Sequence, residues 1–444
     1  MSKCGSDVAG NPFAGRNVGR GNLTMFDVKN PIPDETRDDR AVSLFFKREG
    51  LVPFAGHDGG TGDKTLAWYI MLARLSPTFG ACSEKMASYV IGSRARVERA
   101  ESPDFETEPG EVSESERAAW QEVLSKTVTY ADGLVPFHEK AYKSYKATGN
   151  AFAELSVATV GGVTQAVVTF HKTSDVRYKY PKGGGDAVRA VAISKVWDSA
   201  YLKKNPAKVR PVWPAVLSEG GAAHTVFHLK AGDNDWYGRP DSDAVSLDKY
   251  REVQDLIYLT KQSAANFVGQ LIIEIEEDVD PVIDNEAASA AGFESFAQRM
   301  EQNFTMKGED PQSILVASRP IGARPMFVFQ VKPNTNQDWY KVTGEIHRDR
   351  IIAGMQLTKR FMGIEAGAGL SDTAFLEDYI TNIDPVIRRE RERLMGWANG
   401  ILSAVWELGG MQQMNAYSLT FASPIEAMIE AYKQKDKGNA NSPD

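Results

Sequence analysis

The chain has 444 residues, of which 42% are hydrophobic and 25% charged, enough for roughly two to four structural modules. A formal net charge of −8 argues against a protein that grips duplex DNA over its whole surface, and two cysteines, Cys4 and Cys82, exclude a disulfide framework or a four-cysteine metal centre. No run approaches the ~20 apolar residues of a membrane span, and the amino terminus has no apolar stretch of the secretory kind, so a reducing compartment and no membrane contact are expected.

Residues 1–40 are rich in Gly, Asn, Asp and Pro without a sustained period, and are expected to be an arm that folds only by docking. A short apolar core at 41–54 precedes the glycine-rich stretch Gly56–Thr65. A phosphate-binding loop needs Gly-Lys-Ser/Thr to be contiguous; here Asp63 separates Gly62 from Lys64, so a turn leading into a helix is expected. Apolar residues at helical spacing run from Thr65 to Ile91, with breaks expected at Pro77 and Gly80. A strand-like piece and an acidic run follow, then a helix over 114–147 capped by Ser113 or Ser115 and interrupted at Gly133 and Pro136.

Gly149 and Asn150 mark a helix-to-strand turn, since both tolerate positive φ. Residues 151–231 alternate strands (152–160, 165–171, 187–196 and 225–229) with Gly/Pro-rich turns, which suggests a small antiparallel module. His224 and His228 share a face but lack a third ligand nearby, so no metal site is expected.

The stretch from Tyr237 to Phe361 organises the chain. Tyr237-Gly-Arg-Pro-Asp241 leads into a helical pattern over 246–267, and a second runs over 336–361, about 39 Å long at 1.5 Å per residue. Both carry one apolar stripe and many charges, including Lys249, Arg251, Glu252, Asp255, Glu345, Arg348, Asp349, Arg350 and Lys359. Helices this charged suit a wall in which neighbouring copies supply the missing surfaces. Between them lies a strand–helix–strand insert over 268–335 that is too small to bury much core alone. A third helical pattern covers 373–407, with a kink expected at Asp384-Pro385. Its arginines 388, 389, 391 and 393, interleaved with Glu390 and Glu392, are expected on solvated or inter-subunit faces. A strand at 417–421 and a helix at 424–432 complete the pattern. No catalytic constellation emerges, and neither a cofactor nor a metal is expected.

The ordered series of Gly149-Asn-Ala-Phe152 in a β module, Tyr237-Gly-Arg-Pro240 before a long helix, the insert, a second long helix, a glycine loop at 362–371 and a kinked helix resembles the portal proteins of tailed bacteriophages. It is closest in pattern to the compact portals of long-tailed phages and their prophage or gene-transfer-agent relatives, over roughly residues 40–432. The resemblance implies an α+β portal fold: a mixed α/β wing at 41–245, stem helices at 246–267 and 336–361, and a small α/β clip at 268–335. A tunnel loop at 362–372, a kinked tunnel helix at 373–407 and a short crown and tail at 408–444 follow. It further implies a ring of twelve at one capsid vertex of a virion, through which double-stranded DNA is packaged and ejected. Its partners would be the terminase large subunit, a head–tail adaptor, the major capsid protein and a scaffold.

By position, Gly363, Ile364, Glu365, Gly367, Gly369, Leu370 and Ser371 match the DNA-facing tunnel loop. Glu274, Glu276, Glu277, Arg319 and Arg324 match the clip surface that meets motor and adaptor. The sequence departs from relatives that carry a Val-Pro pair and an Asn-bearing segment here: Phe361-Met362-Gly363 stands instead. A tunnel wall should not hold phosphates tightly, because each neutralised phosphate adds affinity and so drag. The competing readings are another ring-forming head–tail adaptor, and a nucleotide-binding enzyme using Gly56–Thr65.

Overall fold

The computed structural model describes residues 49–54, 63–92, 94–99, 112–180, 189–232, 236–264, 271–277, 314–320, 337–364, 373–425 and 428–429. In chain order the first elements are α1 (Asp63–Leu75), α2 (Pro77–Val90), β1 (Ala95–Arg99), α3 (Glu114–Thr127), β2 (Val128–Tyr130) and α4 (Leu134–Thr148). Next come β3 (Asn150–Val160), β4 (Val163–His171), β5 (Val176–Lys179), β6 (Ala190–Ile193), α5 (Ser199–Lys204), β7 (Lys208–Pro211), β8 (Leu217–Glu219) and β9 (Ala222–Lys230). Then follow α6 (Ser246–Ala264), β10 (Leu271–Glu277), β11 (Ile314–Pro320), α7 (Gln337–Gly354), α8 (Lys359–Met362), α9 (Thr373–Asp378), α10 (Asp384–Leu408) and β12 (Tyr417–Phe421).

The mixed α+β chain divides into two compact units. One takes Gln254–Tyr340 and the other Ile32–Val253 with Lys341–Asp444, so α6 and α7 each contribute residues to both. In the first unit, β10 and β11 pair in parallel from Leu271↔Ile314 to Glu277↔Pro320. Parallel strands cannot be joined by a tight turn, so this pairing requires a crossover between them; the helix expected in the insert falls in that stretch, outside the described residues.

The second unit is built on a five-stranded sheet in the order β2-β4-β3-β9-β8, antiparallel except for β2 against β4. One face alternates Ala151, Ala153, Leu155 and Val157 into a core with Phe137, Tyr142, Trp397, Ile401 and Val405 from α4 and α10. The other face places Phe152 and Val226 against Val176, Tyr178 and Val191 of a three-stranded sheet, β5-β6-β7. The expected antiparallel module is thus two sheets. The strands at 176–179 and 208–211 are four residues each, too short for a period-2 signal to separate them from turns.

Local chemistry explains most element ends. Ser76 caps α2, accepting from Phe79 N–H, and Pro77 takes the first helical position, where its missing donor costs nothing. Gly80 sits inside α2 rather than breaking it. Ser113 forms a full capping box with Glu116. Pro136 lies in the first turn of α4 and does not interrupt it; the break is the short strand β2. The glycine-rich stretch is outside the described residues as far as Gly62, and Lys64 and Thr65 already belong to α1.

Two helical expectations are corrected. The pattern over 336–361 is not one helix: α7 stops at Gly354, 18 residues or about 27 Å long. A Cβ on Gly354 would come within 2.6 Å of the Val245 side chain, Gln356 adopts φ +59°, and Thr358 caps the separate helix α8. The irregularity expected at Asp384-Pro385 falls just ahead of it, as a π turn over Tyr379–Ile383, with Pro385 in the first turn of α10. At the carboxyl end, β12 pairs antiparallel with β1, and Ile425 and Ile429 are buried; the rest of the expected last helix is outside the described residues beyond Ile429.

Candidate functional site

The two sequence motifs at Gly149 and Tyr237 meet in space. Gly149 ends α4 in the left-handed region at φ +75°, and a Cβ there would come within 2.4 Å of the Arg239 carbonyl carbon. Gly238 is tighter still: a Cβ would meet the Gly149 carbonyl oxygen at 2.4 Å and Ala231 backbone at 2.5 Å. Between them, Asn150 donates through Nδ2 to the Thr148 and Gly238 carbonyls, at 2.7 and 2.9 Å. Its Oδ1 accepts from Gly238 N–H at 2.7 Å and from His228 Nε2–H at 2.9 Å. That fixes the His228 tautomer, so its Nδ1 accepts the Tyr178 hydroxyl at 2.8 Å. Burial, with Lys230 and Arg189 nearby, pushes the imidazole down to about 3, so it is neutral. Tyr237 Oη accepts from Tyr178 N–H and donates to the Val52 carbonyl. The segment leading into α6 is therefore pinned to the sheet on both sides.

From this joint, α6 carries charges that the sequence assigned to contacts between copies. Lys249 is instead 3% exposed, inside the protomer: Nζ donates to Ser242 Oγ at 2.7 Å and lies 4.0 Å from the Phe79 ring centre. Burial pushes its ammonium down to about 8. Glu252 is also internal; it accepts the hydroxyls of Ser76 and Thr78 and so holds the start of α2. These two are fasteners because Tyr250 and Val253 bring their side of the helix against the body. Arg251 and Glu345 are exposed, and Asp255 is half-buried. Facing the Asp248 carboxylate, α7 supplies His347 Nδ1 at 2.9 Å and Arg350 at 3.4 Å. Asp349 pairs with Lys359 at 2.6 Å and lies 3.5 Å from Arg348.

The glycine loop has a rigid base. Thr358 Oγ1 accepts from Phe361 N–H at 3.1 Å and donates to Asp378 Oδ2 at 2.5 Å, tying the entry of the loop to its exit helix. Phe361, fully buried, packs edge-on to Tyr89 at 4.9 Å and beside Tyr379 at 6.0 Å, with the Lys85 ammonium 4.8 Å from its ring centre. Gly363 ends α8 at φ +77°, and Ile364 is 41% exposed. Glu365, Gly367, Gly369, Leu370 and Ser371 lie outside the described residues. Of the clip residues, Glu274 lies opposite Ala317, Glu276 opposite Arg319 and Glu277 opposite Pro320 in the register, and Arg324 is outside the described residues.

Two buried charge clusters escaped the sequence reading. Glu390, expected on a solvated face, is 2% exposed; it accepts from Tyr142 at 3.3 Å and Lys146 at 3.4 Å, and pairs with Arg393. The signal was present: Glu390 follows Ile387 by three residues and precedes Leu394 by four, which places it on the apolar stripe. Arg391 also turns inward, to the Tyr89 and Val90 carbonyls at the end of α2. In the second cluster, Glu154 receives His171 at 3.0 Å, Lys208 at 2.6 Å and Arg210 at 3.0 Å, while His224 bonds Ser156 at 2.8 Å. Burial alone would raise the Glu154 carboxyl, but these donors outweigh it and hold it at about 2. Among the described residues no group of His, Cys, Asp and Glu is arranged to hold a metal ion, and no helix is long and apolar enough to cross a membrane.

No family model matches the chain, and no curated protein matches it. Among solved structures it is similar to a chain of the virion of a native gene transfer agent particle, with a TM-score of 0.49 and 12% identity, covering 91% of this chain and 96% of that one. It is similar to a chain of the neck of the native particle computed with C12 symmetry, with a TM-score of 0.48 and 12% identity over 92% and 95% of the two chains. A chain from the neck of the empty particle computed with C6 symmetry gives 0.48 and 12% over 85% and 90%.

Proposed function

We propose that this chain is the portal subunit of a tailed-phage-like particle, a structural rather than catalytic component of the virion. In this reading twelve copies close into a ring at one capsid vertex, seated in the major capsid protein. Double-stranded DNA passes through its centre during packaging and ejection. The segment between α6 and α7 receives first the terminase large subunit and later a head–tail adaptor. The residues from Gly363 to Ser371 line the channel, where glycines let the loop yield to moving DNA and the near-absence of cations avoids drag.

The observation that carries the reading is the joint. The two motifs behind the resemblance interlock across 88 residues of sequence, through Asn150 and Gly238, at the point from which α6 departs. Resemblance in motif order is thereby matched by a physical reason for the order: the helix needs a fixed origin on the β module.

Negative-stain images of the purified full chain test the ring. Twelve-fold rings with a central hole and a narrow stalk are expected; a stable monomer or small dimer at packaging-like salt counts against it. Deleting Gly363–Gly369 is expected to leave the rings intact and to impair packaging or retention of DNA. Unchanged packaging would remove the channel role from that loop.

A further inference from the structure

Charge is sharply segregated in this acidic chain. Residues 172–211 carry ten Lys and Arg against three Asp, a net of +7, which leaves −15 for the remainder. Outside 181–188, which lie beyond the described residues, they make up the β5-β6-β7 sheet and α5. Leu51, Ala192, Trp197 and Ala207 make a small apolar cluster that holds the α5 segment in place. Arg177 is buried beneath it, donating to the Thr173, Ser174 and Val176 carbonyls with its guanidinium 5.3 Å from the Trp197 ring centre.

Several charges in this lobe have internal duties. Asp198 caps α5, accepting from Ala200 and Tyr201 N–H at 2.9 and 3.0 Å. Lys208 and Arg210 turn to Glu154. Lys172, Lys195, Lys203 and Lys204 do not: all four are exposed, and none forms an ion pair with the described residues. Lys203 and Lys204 stand side by side in the last turn of α5.

We propose that this lobe binds the phosphodiester backbone of double-stranded DNA without sequence preference. The composition of the surface favours DNA over an acidic protein. Cores of protein–protein interfaces are depleted in Lys and need large apolar anchors. The exposed apolar residues here, Tyr180, Val196, Tyr201 and Val209, are 45%, 42%, 36% and 38% exposed, each more than half covered by its own protomer. Lysine ammonium groups on a surface without such anchors suit phosphates, whose binding draws on counterion release. The lobe supplies a holding contact for DNA in a chain whose remaining charge repels it. The inference does not depend on a ring.

The test is binding of the purified full chain to a mixed-sequence duplex of about 30 base pairs, read by fluorescence anisotropy from about 50 to 300 mM salt. Lys203→Glu/Lys204→Glu is compared with Lys126→Glu/Lys140→Glu, an equal charge change on α3 and α4, with circular dichroism checking that both fold. The first variant is expected to lose at least about tenfold in affinity at the lowest salt and to flatten the log K against log salt slope by about two, while the second stays within about threefold of the parent. Equal affinities for all three proteins overturn the inference. So does tighter binding of polyglutamate than of the duplex, which would assign the lobe to an acidic protein segment. A monomer that binds DNA through Lys203 and Lys204 removes the ring and keeps this inference; rings indifferent to the reversal do the opposite.

Discussion

The joint around Asn150 and the outer faces of α6 and α7 treat side chains in opposite ways. At the joint every polar atom of Asn150 has a partner inside the protomer, and two glycines allow backbone to touch backbone. On the helices the inward charges Lys249 and Glu252 are satisfied, yet Leu247, Val342 and Ile346 stand 63%, 52% and 42% exposed. The protomer thus buries ions and leaves aliphatic groups in water within a few residues of one another. A buried charge here is a pin, and the groups open to a neighbour include apolar ones beside the exposed charges Arg251, Glu345 and Arg350. Residue type alone does not say which is which.

The comparison breaks most violently at the joint. Gly238→Ala forces a Cβ into backbone on two sides, which no side-chain rotation relieves, and is expected to cost on the order of 4 kcal/mol, measured by chemical denaturation. A loss under about 1 kcal/mol would mean that the joint is far looser than its contacts. Next in size, Glu390→Gln removes one of the two carboxylates at Lys146, whose side chain is 5% exposed, and leaves Asp241 at 3.2 Å as the other; a cost of about 2 kcal/mol is expected, below that of a fully broken buried pair. Pairing it with Lys146→Met should recover part of that loss, because the buried ammonium goes with its partner, while Asp241 and Arg393, 37% and 38% exposed in their side chains, keep access to water.

Acid should find the same pins. Glu154 is held at about 2 against an ordinary 4.5, so its contribution, on the order of 3 kcal/mol, is present above pH 4.5 and lost as pH falls toward 2. His228 is pushed down to about 3 from 6.5; its contribution is complete above 6.5 and declines as pH falls from there. Stability is therefore expected to drop in two overlapping stages below neutrality. In denaturation curves taken across pH, Glu154→Gln should flatten only the lower stage. His228→Gln should reduce the upper one in part, since His138, lowered to about 4 by burial, titrates in the same window. A variant pair with identical pH slopes would dissociate these two groups from acid sensitivity.

What was legible in the sequence follows from range. Helices with capping signals and long stripes, such as the one begun by Ser113 or the one carrying Leu394, Trp397 and Ile401, could be placed within a few residues. So could the turn at Gly149, because only its neighbours are needed to see it. The end of α7 at Gly354 was masked by apolar spacing that continues to Phe361, and the reason a glycine stands there, the close approach of Val245, lies more than a hundred residues earlier. The inward turn of Lys249 and Glu252 was hidden because Ser76, Thr78 and Phe79 come from the start of α2, far earlier in the chain, and only Ser242 is a near neighbour. Glu390 was different. Its position on the apolar stripe was visible, and the alternation of Arg and Glu around it drew attention to charge instead of phase.

The smallest expected effect on the fold is the most informative about the helices. Val342 and Ile346 lie four residues apart, so they share one side of α7, and both are exposed in the protomer. Replacing both with Ser removes little burial that folding itself provides, and protomer stability should stay within about 0.5 kcal/mol of the parent. If neighbouring copies cover this side, the same change deletes buried aliphatic area from each contact around the ring, at roughly 25 cal/mol per Å². Sedimentation velocity should then show rings giving way to protomers while the denaturation midpoint holds still. Glu345→Gln, an exposed charge on the same helix, should leave the rings alone. Were the charge change to dissolve the rings and the double Ser variant not, the division drawn between pins and contact groups would be inverted, and the contact between copies would run through ions after all.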